Sequence, residues 1–145
     1  MKYLTRFTSI CMLVFIFPAT AQYNTGDEEL NKSLLTIDAD AKLDFGAFKV
    51  DISGSYDITE KKLDYLSVEI EMSAGDIYMT VELAKITEKS VDEVVTVFTK
   101  NKNKGWGVIA KELGIKPGSP EFHALKGKAK DKGNKKPKGK GKDKN

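Results

Sequence analysis

A lone histidine, His123, follows Glu121 by two positions; an imidazole beside a carboxylate is the usual pair for general acid–base catalysis. The competing reading is a hydrogen-bonded structural histidine, and one imidazole with no partner motif favours it. Acidic pairs such as Asp40/Asp44 and Asp92/Glu93 have the residue types of glycosidase carboxylates. Residues 22–125, however, hold 19 Asp and Glu, so such pairs arise from composition and read better as solvated helix faces. Asp38, Asp40 and Asp44 offer oxygen ligands for calcium, but the glycine and closing glutamate of an EF-hand loop are missing at the required spacing. Trp106 lies between Gly105 and Gly107, where small neighbours would leave a ring face open for a sugar; as a core anchor it would instead bury its large apolar body. The chain has one cysteine, Cys11, which excludes an internal disulfide framework and a cysteine zinc site. No Gly-rich phosphate loop, nucleophile elbow or H-E-x-x-H stands in the sequence. The expectation is a non-enzymatic protein with no cofactor and no metal, in which Trp106 and His123 remain candidate ligand contacts.

Charge is the stronger signal. The formal net charge of +3 over 145 residues hides two opposite blocks. Residues 126–145 hold ten lysines and two aspartates, net +8, whereas residues 22–125 hold twelve lysines against the 19 acidic groups, net −7. Ala129 is the only apolar side chain of the basic block, so burial has little with which to offset the entropy of ordering, and a disordered tail is expected. Its lysines (Lys126, Lys128, Lys130, Lys132, Lys135, Lys136, Lys138, Lys140, Lys142 and Lys144) suit an anionic polymer bound by counterion release. No aromatic residue is interleaved, so base stacking is absent and binding would be blind to sequence. A purely solubilising tail, or one that folds back on the acidic body, are the other readings.

The first residues read as an address. Lys2 and Arg6 precede an apolar stretch from Phe7 to Phe17, Pro18 breaks it, and Ala19-Thr20-Ala21 supplies the small-x-small pattern of signal-peptide cleavage before Gln22. The stretch is shorter than the ~20 residues of a spanning helix, so cleavage is favoured over an anchor, and it removes Cys11. A secreted or periplasmic location follows, with no transmembrane span after cleavage. Three segments are expected: a signal peptide at 1–21, an acidic helical domain at 22–125, and the disordered Lys/Gly-rich tail at 126–145.

The elements that must position these residues are helical. Leu30, Leu34, Ile37, Ala41, Phe45, Phe48 and Ile52 recur at spacings of three and four. The same stretch also alternates, which would give a β-hairpin at 36–53 and an α+β fold, but Asp38, Asp40 and Lys42 are poor strand formers. Ile58-Thr59-Glu60-Lys61 is echoed by Ile86-Thr87-Glu88-Lys89, a period consistent with stacked helical hairpins. Val68, Ile70 and Met72 alternate as an extended connection would. Ser73…Asp76 and Ser90…Glu93 resemble capping boxes, Gly114 stops a short helix from Trp106 to Leu113, and Ser119-Pro120 opens a last helix. The fold class expected is all-α, a compact bundle of five or six short helices. A helix-turn-helix reading of 91–125 fails because Pro120 and His123 fall where the second helix needs inward apolar residues.

The block GWGVIAKELGIKPGSPEFHALK, Gly105 to Lys126, with AGDIYMTVELAKIT upstream at Ala74 to Thr87 and a Lys/Gly-rich tail, resembles a group of small secreted bacterial proteins. The resemblance spans most of residues 22–145 and implies a bacterial envelope or secreted location. It carries no catalytic role. The sequence therefore points first to a secreted or periplasmic helical module tethered by its polycationic tail to lipopolysaccharide, acidic glycan or extracellular DNA. The second expectation is an adaptor whose acidic body binds an envelope protein, and the third a small envelope hydrolase using His123 and a neighbouring carboxylate.

Overall fold

The computed structural model describes residues 23–135, so the signal peptide expected at 1–21 and the lysines from Lys136 to Lys144 lie outside the described residues. Among the described residues seven α-helices follow one another: α1 Glu28–Leu43, α2 Phe45–Ser55, α3 Glu60–Val68, α4 Ala74–Thr87, α5 Val91–Asn101, α6 Trp106–Glu112 and α7 Pro120–Asn134. A single 3-10 turn, Lys102–Lys104, joins α5 to α6. Among the described residues there is no strand, and the fold is an all-α bundle.

Side-chain caps set most helix starts, each satisfying backbone donors that have no intrahelical acceptor. Asp27 accepts from Leu30 N, and Asp44, extended at φ −152° and ψ 87°, accepts from Ala47 N. Thr59 and Ser119 cap α3 and α7, with Pro120 at the first position of α7. Ser73 with Asp76 and Ser90 with Glu93 form the two reciprocal capping boxes expected from the sequence.

The apolar series from Leu30 to Ile52 forms helix, with Leu30, Leu34, Ile37, Ala41, Phe48 and Ile52 buried. The hairpin alternative at 36–53 is excluded. The series is cut at Asp44, however, which ends α1 and caps α2. Three further expectations change. Ser67 and Val68 belong to the last turn of α3, Val68 with 71% of its surface exposed, so the connection expected from Ser67 to Met72 begins only at Glu69. The ITEK echo occupies unlike places: Thr59 caps α3, whereas Ile86 and Thr87 end α4. The boundary at 125/126 falls inside α7, and residues 126–134 are helical instead of disordered.

At the centre lies α4, buried from Ala74 to Ala84 on nearly every side. Helices α1, α3, α5 and α7 cover it, and α7 also lies along α1. The remaining gap is filled by the segment before α1. Tyr23 is 4% exposed, and the carbonyls of Tyr23 and Asn24 accept from Trp106 N and Gly107 N at 2.9 and 3.0 Å. This arm fits because its cradle is made of glycine. A Cβ at Gly75 would run into the Tyr23 hydroxyl, and one at Gly107 would lie 2.9 Å from the Thr25 carbonyl oxygen.

Gly107→Ala should therefore cost about 1–3 kcal/mol by displacing the arm. Gly127→Ala, in the interior of α7 with nothing within 4 Å, should instead stabilise by about 0.4–1 kcal/mol. Denaturant midpoints of the two variants check the pair; equal effects would mean that the arm is not seated.

Candidate functional site

The basic face of α7 is built from the sequence spacing of its lysines. Leu125 and Ala129, four residues apart, are fully buried, and Gly133 follows four further on, where a Cβ would meet Ser33 O at 3.2 Å. This narrow stripe of decreasing side-chain size lets α7 lie close against α1, with lysines on both flanks. Lys126 bridges Asp27 and Glu29 at 3.0 and 2.8 Å, and Lys130 reaches Glu29 at 2.8 Å. Lys128 pairs with Glu82 at 3.0 Å, while Lys132 pairs with Asp51 and lies over the Phe48 ring. Four of the ten lysines expected to meet an external polyanion are thus paired to the body. The acidic body and basic block, opposite in charge, are joined to each other. Lys135, the C-cap of α7, is exposed.

These pairs act on proton affinities. Hydrogen bonds from Lys126 and Lys130 pull the Glu29 carboxyl down to about 2. Burial raises Asp27, but the Leu30 N–H and Lys126 outweigh it, and its carboxyl sits below the usual range. Lys126 is raised by Glu29 and Asp27, and Lys130 by Glu29. Burial lowers the Lys132 ammonium, and the charge of Lys135 adds to that.

Beneath this face lie two buried polar clusters. Glu82, 2% exposed, accepts from Tyr56 Oη and Tyr78 Oη on one oxygen and from Lys128 on the other. In the second, Asp38 accepts from Tyr23 Oη and, at 2.8 Å, from Gly75 N, while Tyr23 Oη lies 2.8 Å from Ser73 Oγ. Asp76 accepts from Trp106 Nε1 at 2.7 Å and from Ser73 N at 3.1 Å. Burial pushes the Tyr23, Tyr56 and Tyr78 phenols upward. Burial likewise raises Asp76 despite the hydrogen bonds from Trp106 and Ser73. Among the described residues no buried side-chain nitrogen or oxygen lacks a partner. Each cluster ties helices together with every buried side-chain nitrogen and oxygen partnered, and a satisfied buried polar network rigidifies a core.

Comparison with protein-family models, with curated proteins and with solved structures gives no match for this chain. Its chemistry therefore rests on the geometry alone.

The candidate contacts fall apart in space and environment. Trp106 is 2% exposed, packed on Phe98 with ring centroids 5.2 Å apart and its N–H engaged by Asp76. Its flanking glycines leave room for the arm rather than for a sugar. The depression beside it, lined by Thr25, Met79, Ile115, Pro117 and Phe122 among others, holds about 10 Å³, no more than one water needs. His123 is exposed on α7, edge-on to Phe122, in place of the hydrogen-bonded position expected for a structural histidine. Of the proposed calcium ligands, Asp38 faces Tyr23 and Gly75 N in the interior and Asp44 caps α2. Asp92 pairs with Lys62, and Glu93 closes its capping box. No cluster of metal-ligating side chains occurs among the described residues.

Tyr23, Asp38, Glu82 and Asn101 were not legible as buried polar anchors. A usable signal existed for Glu82, which interrupts the apolar run from Ile77 to Ala84 and must find a partner if that run is buried.

Trp106→Phe leaves Asp76 without its indole donor and should cost about 1–3 kcal/mol, and Trp106 emission should resist acrylamide quenching and ignore added oligosaccharides. Free quenching would contradict the burial. The pH dependence follows from the α7 pairs. Depressed Asp27 and Glu29 contribute fully above the ordinary carboxylate range and lose that contribution as pH falls toward about 2. Raised Lys126 and Lys130 contribute fully below the ordinary lysine range and lose it as pH rises beyond. Raised Asp76 works in the opposite sense, favouring the fold when protonated. Melting temperature should fall on the acid side, and Glu29→Gln should flatten that limb; an unchanged acid limb would show the pairs to be absent in solution.

Proposed function

We propose that this chain is a non-enzymatic secreted or periplasmic helical module, held to anionic envelope or extracellular polymer by the lysines that follow α7. The observation that carries the reading is the division of the basic block: Lys126, Lys128, Lys130 and Lys132 fasten α7 to the body. Residues 135–145, beginning at the C-cap of α7, hold six lysines and one aspartate, net +5. The ion-paired helix acts as a mount, and the lysines from Lys135 onward are the polymer-binding element. Counterion release favours any polymer of closely spaced anions, lipopolysaccharide, acidic glycan and DNA alike, without sequence preference. The location rests on the presequence pattern and on the resemblance of Gly105–Lys126 to small secreted bacterial proteins. All three deeply placed carboxylates, Asp38, Asp76 and Glu82, are engaged in tying helices together, which supports a binding rather than a reacting body.

A protein-binding adaptor is the second reading, and one observation favours it: Leu43, Val50 and Val68 are 81%, 61% and 71% exposed on α1, α2 and α3. For a hydrolase nothing specific speaks, since Glu121 and His123 both stand in solvent at the start of α7.

Substituting Lys135, Lys136, Lys138, Lys140, Lys142 and Lys144 by Gln tests the tether against lipopolysaccharide, an acidic polysaccharide and DNA over a salt series. Affinity should fall about tenfold or more, and the slope of log affinity against log salt should shrink by roughly 4–5. Unchanged binding to all three polymers would overturn the proposal.

A further inference from the structure

The net −7 of residues 22–125 is not evenly spread. Residues 23–98 carry seven lysines against 17 acidic groups, net −10, whereas residues 99–118 carry Lys100, Lys102, Lys104, Lys111 and Lys116 against Glu112 alone, net +4. All five lysines are exposed, on the end of α5, the 3-10 turn, α6 and the loop after it. Lys104, Lys111 and Lys116 have no carboxylate within 4.0 Å among the described residues. Lys100 and Lys102 meet Glu112 and Glu71 only at 3.5 and 3.7 Å, in pairs open to solvent, and such pairs are weak enough to exchange. This edge thus differs in kind from α7, whose lysines lie in close pairs with the body.

The edge is also held in shape. Asn101, 2% exposed, donates to Val97 O at 3.0 Å and to Glu112 Oε2 at 2.7 Å, pinning the corner between α5 and α6. Trp106 and Ile109 fix α6 from inside. Lys104 and Lys111 stand at the two ends of α6, about 10 Å apart along its axis. At physiological salt charges farther than about 8 Å are largely screened, so an approaching polymer senses this patch, a local +3 with Glu71 beside Lys102 counted, more than the acidic remainder.

We propose that the edge formed by Lys100, Lys102, Lys104, Lys111 and Lys116 is a second binding surface for a linear anionic polymer, engaged together with the lysines that follow α7. An extended polymer suits a set of lysines spread from the end of α5 to the loop after α6, whereas an amphipathic lipid contact would add burial of apolar side chains to its charge. Here Val108, 40% exposed, is the one large apolar group on α6 that reaches solvent, and Trp106 is turned inward. Joint engagement rests on the tether reading; binding by the edge itself does not. Two linked contacts raise avidity, because the second forms at the effective concentration set by the first.

The test uses the whole protein in four forms: unaltered, with Lys104, Lys111 and Lys116 changed to Gln, with the six terminal lysines changed to Gln, and with both sets changed. Heparin serves as the linear polyanion, and vesicles containing anionic phosphatidylglycerol as the lipid surface, each over a salt series. The three edge lysines are exposed and without close pairs, so circular dichroism and melting should match the unaltered protein. The edge variant should bind heparin several-fold more weakly, with the salt slope smaller by roughly 2. The terminal variant should retain salt-sensitive binding that disappears when both sets are changed. If the edge variant binds heparin like the unaltered protein, the edge proposal fails while the tether stands. If the terminal variant binds normally and the edge variant does not, the tether fails and the edge stands. Edge-dependent binding to vesicles but not to heparin would overturn the choice of a linear polymer.

Discussion

Glu82 sits on a helix with almost no solvent-facing side. From Ala74 to Ala84 the side chains of α4 are buried nearly without break, so every neighbouring element must cover a face of it. Any polar group it carries must also be met inside the bundle, because an unmatched buried charge is far more costly than a neighbouring ion pair is helpful. The two tyrosines and Lys128 meet Glu82. Trp106, Ser73, Tyr23 and Gly75 N meet the carboxylates of Asp76 and Asp38 at the other end. The covering of α4 thereby explains why a helix as lysine-rich as α7 docks at all: one lysine neutralises a buried acid, and Leu125 and Ala129 close the apolar seam beside it.

The helical character, the caps and most of the core were legible in the sequence, because those signals are local. Apolar spacing from Leu30 to Ile52, the Ser73 and Ser90 boxes and Ser119-Pro120 each lie within a few residues of the backbone they control. What escaped is long-range. The α7 lysines pair with residues 46 to 101 positions away, and a window of composition around 126–134 has Ala129 as its one apolar side chain. The stripe Leu125, Ala129, Gly133 was present at four-residue spacing, but its small members read as low complexity when packing, not bulk, gives them value. Asp44 shows the converse, a single cap residue ending one helix and starting the next inside an unbroken apolar period. At the candidate site the same distinction holds. The glycines around Trp106 suggested an exposed ring, and only the return of Tyr23–Thr25 through that gap shows what the space is for.

The functional consequence is a division of labour among lysines. Those on α7 are structural, fixed by carboxylates of the body, and Lys126 and Lys130 lower the proton affinity of Glu29. Along the α5–α6 corner, Lys104, Lys111 and Lys116 have no such close partners among the described residues, and the proposed function assigns the anionic polymer to these and to the lysines that follow α7. Screening confines each contact to its neighbourhood, so the sign of the local patch outweighs the sign of the whole body.

The claim on which this division depends is that residues 120–134 are a docked helix. Amide hydrogen exchange, followed residue by residue at low and at high salt, addresses it directly. Docking predicts protection across the interior of α7 comparable to that of α1, retained around Leu125 and Ala129 when salt weakens the lysine pairs. Exchange from Lys126 to Gly133 at the rate of an unstructured peptide, with α4 still protected, would contradict it and return all ten lysines to a free tail.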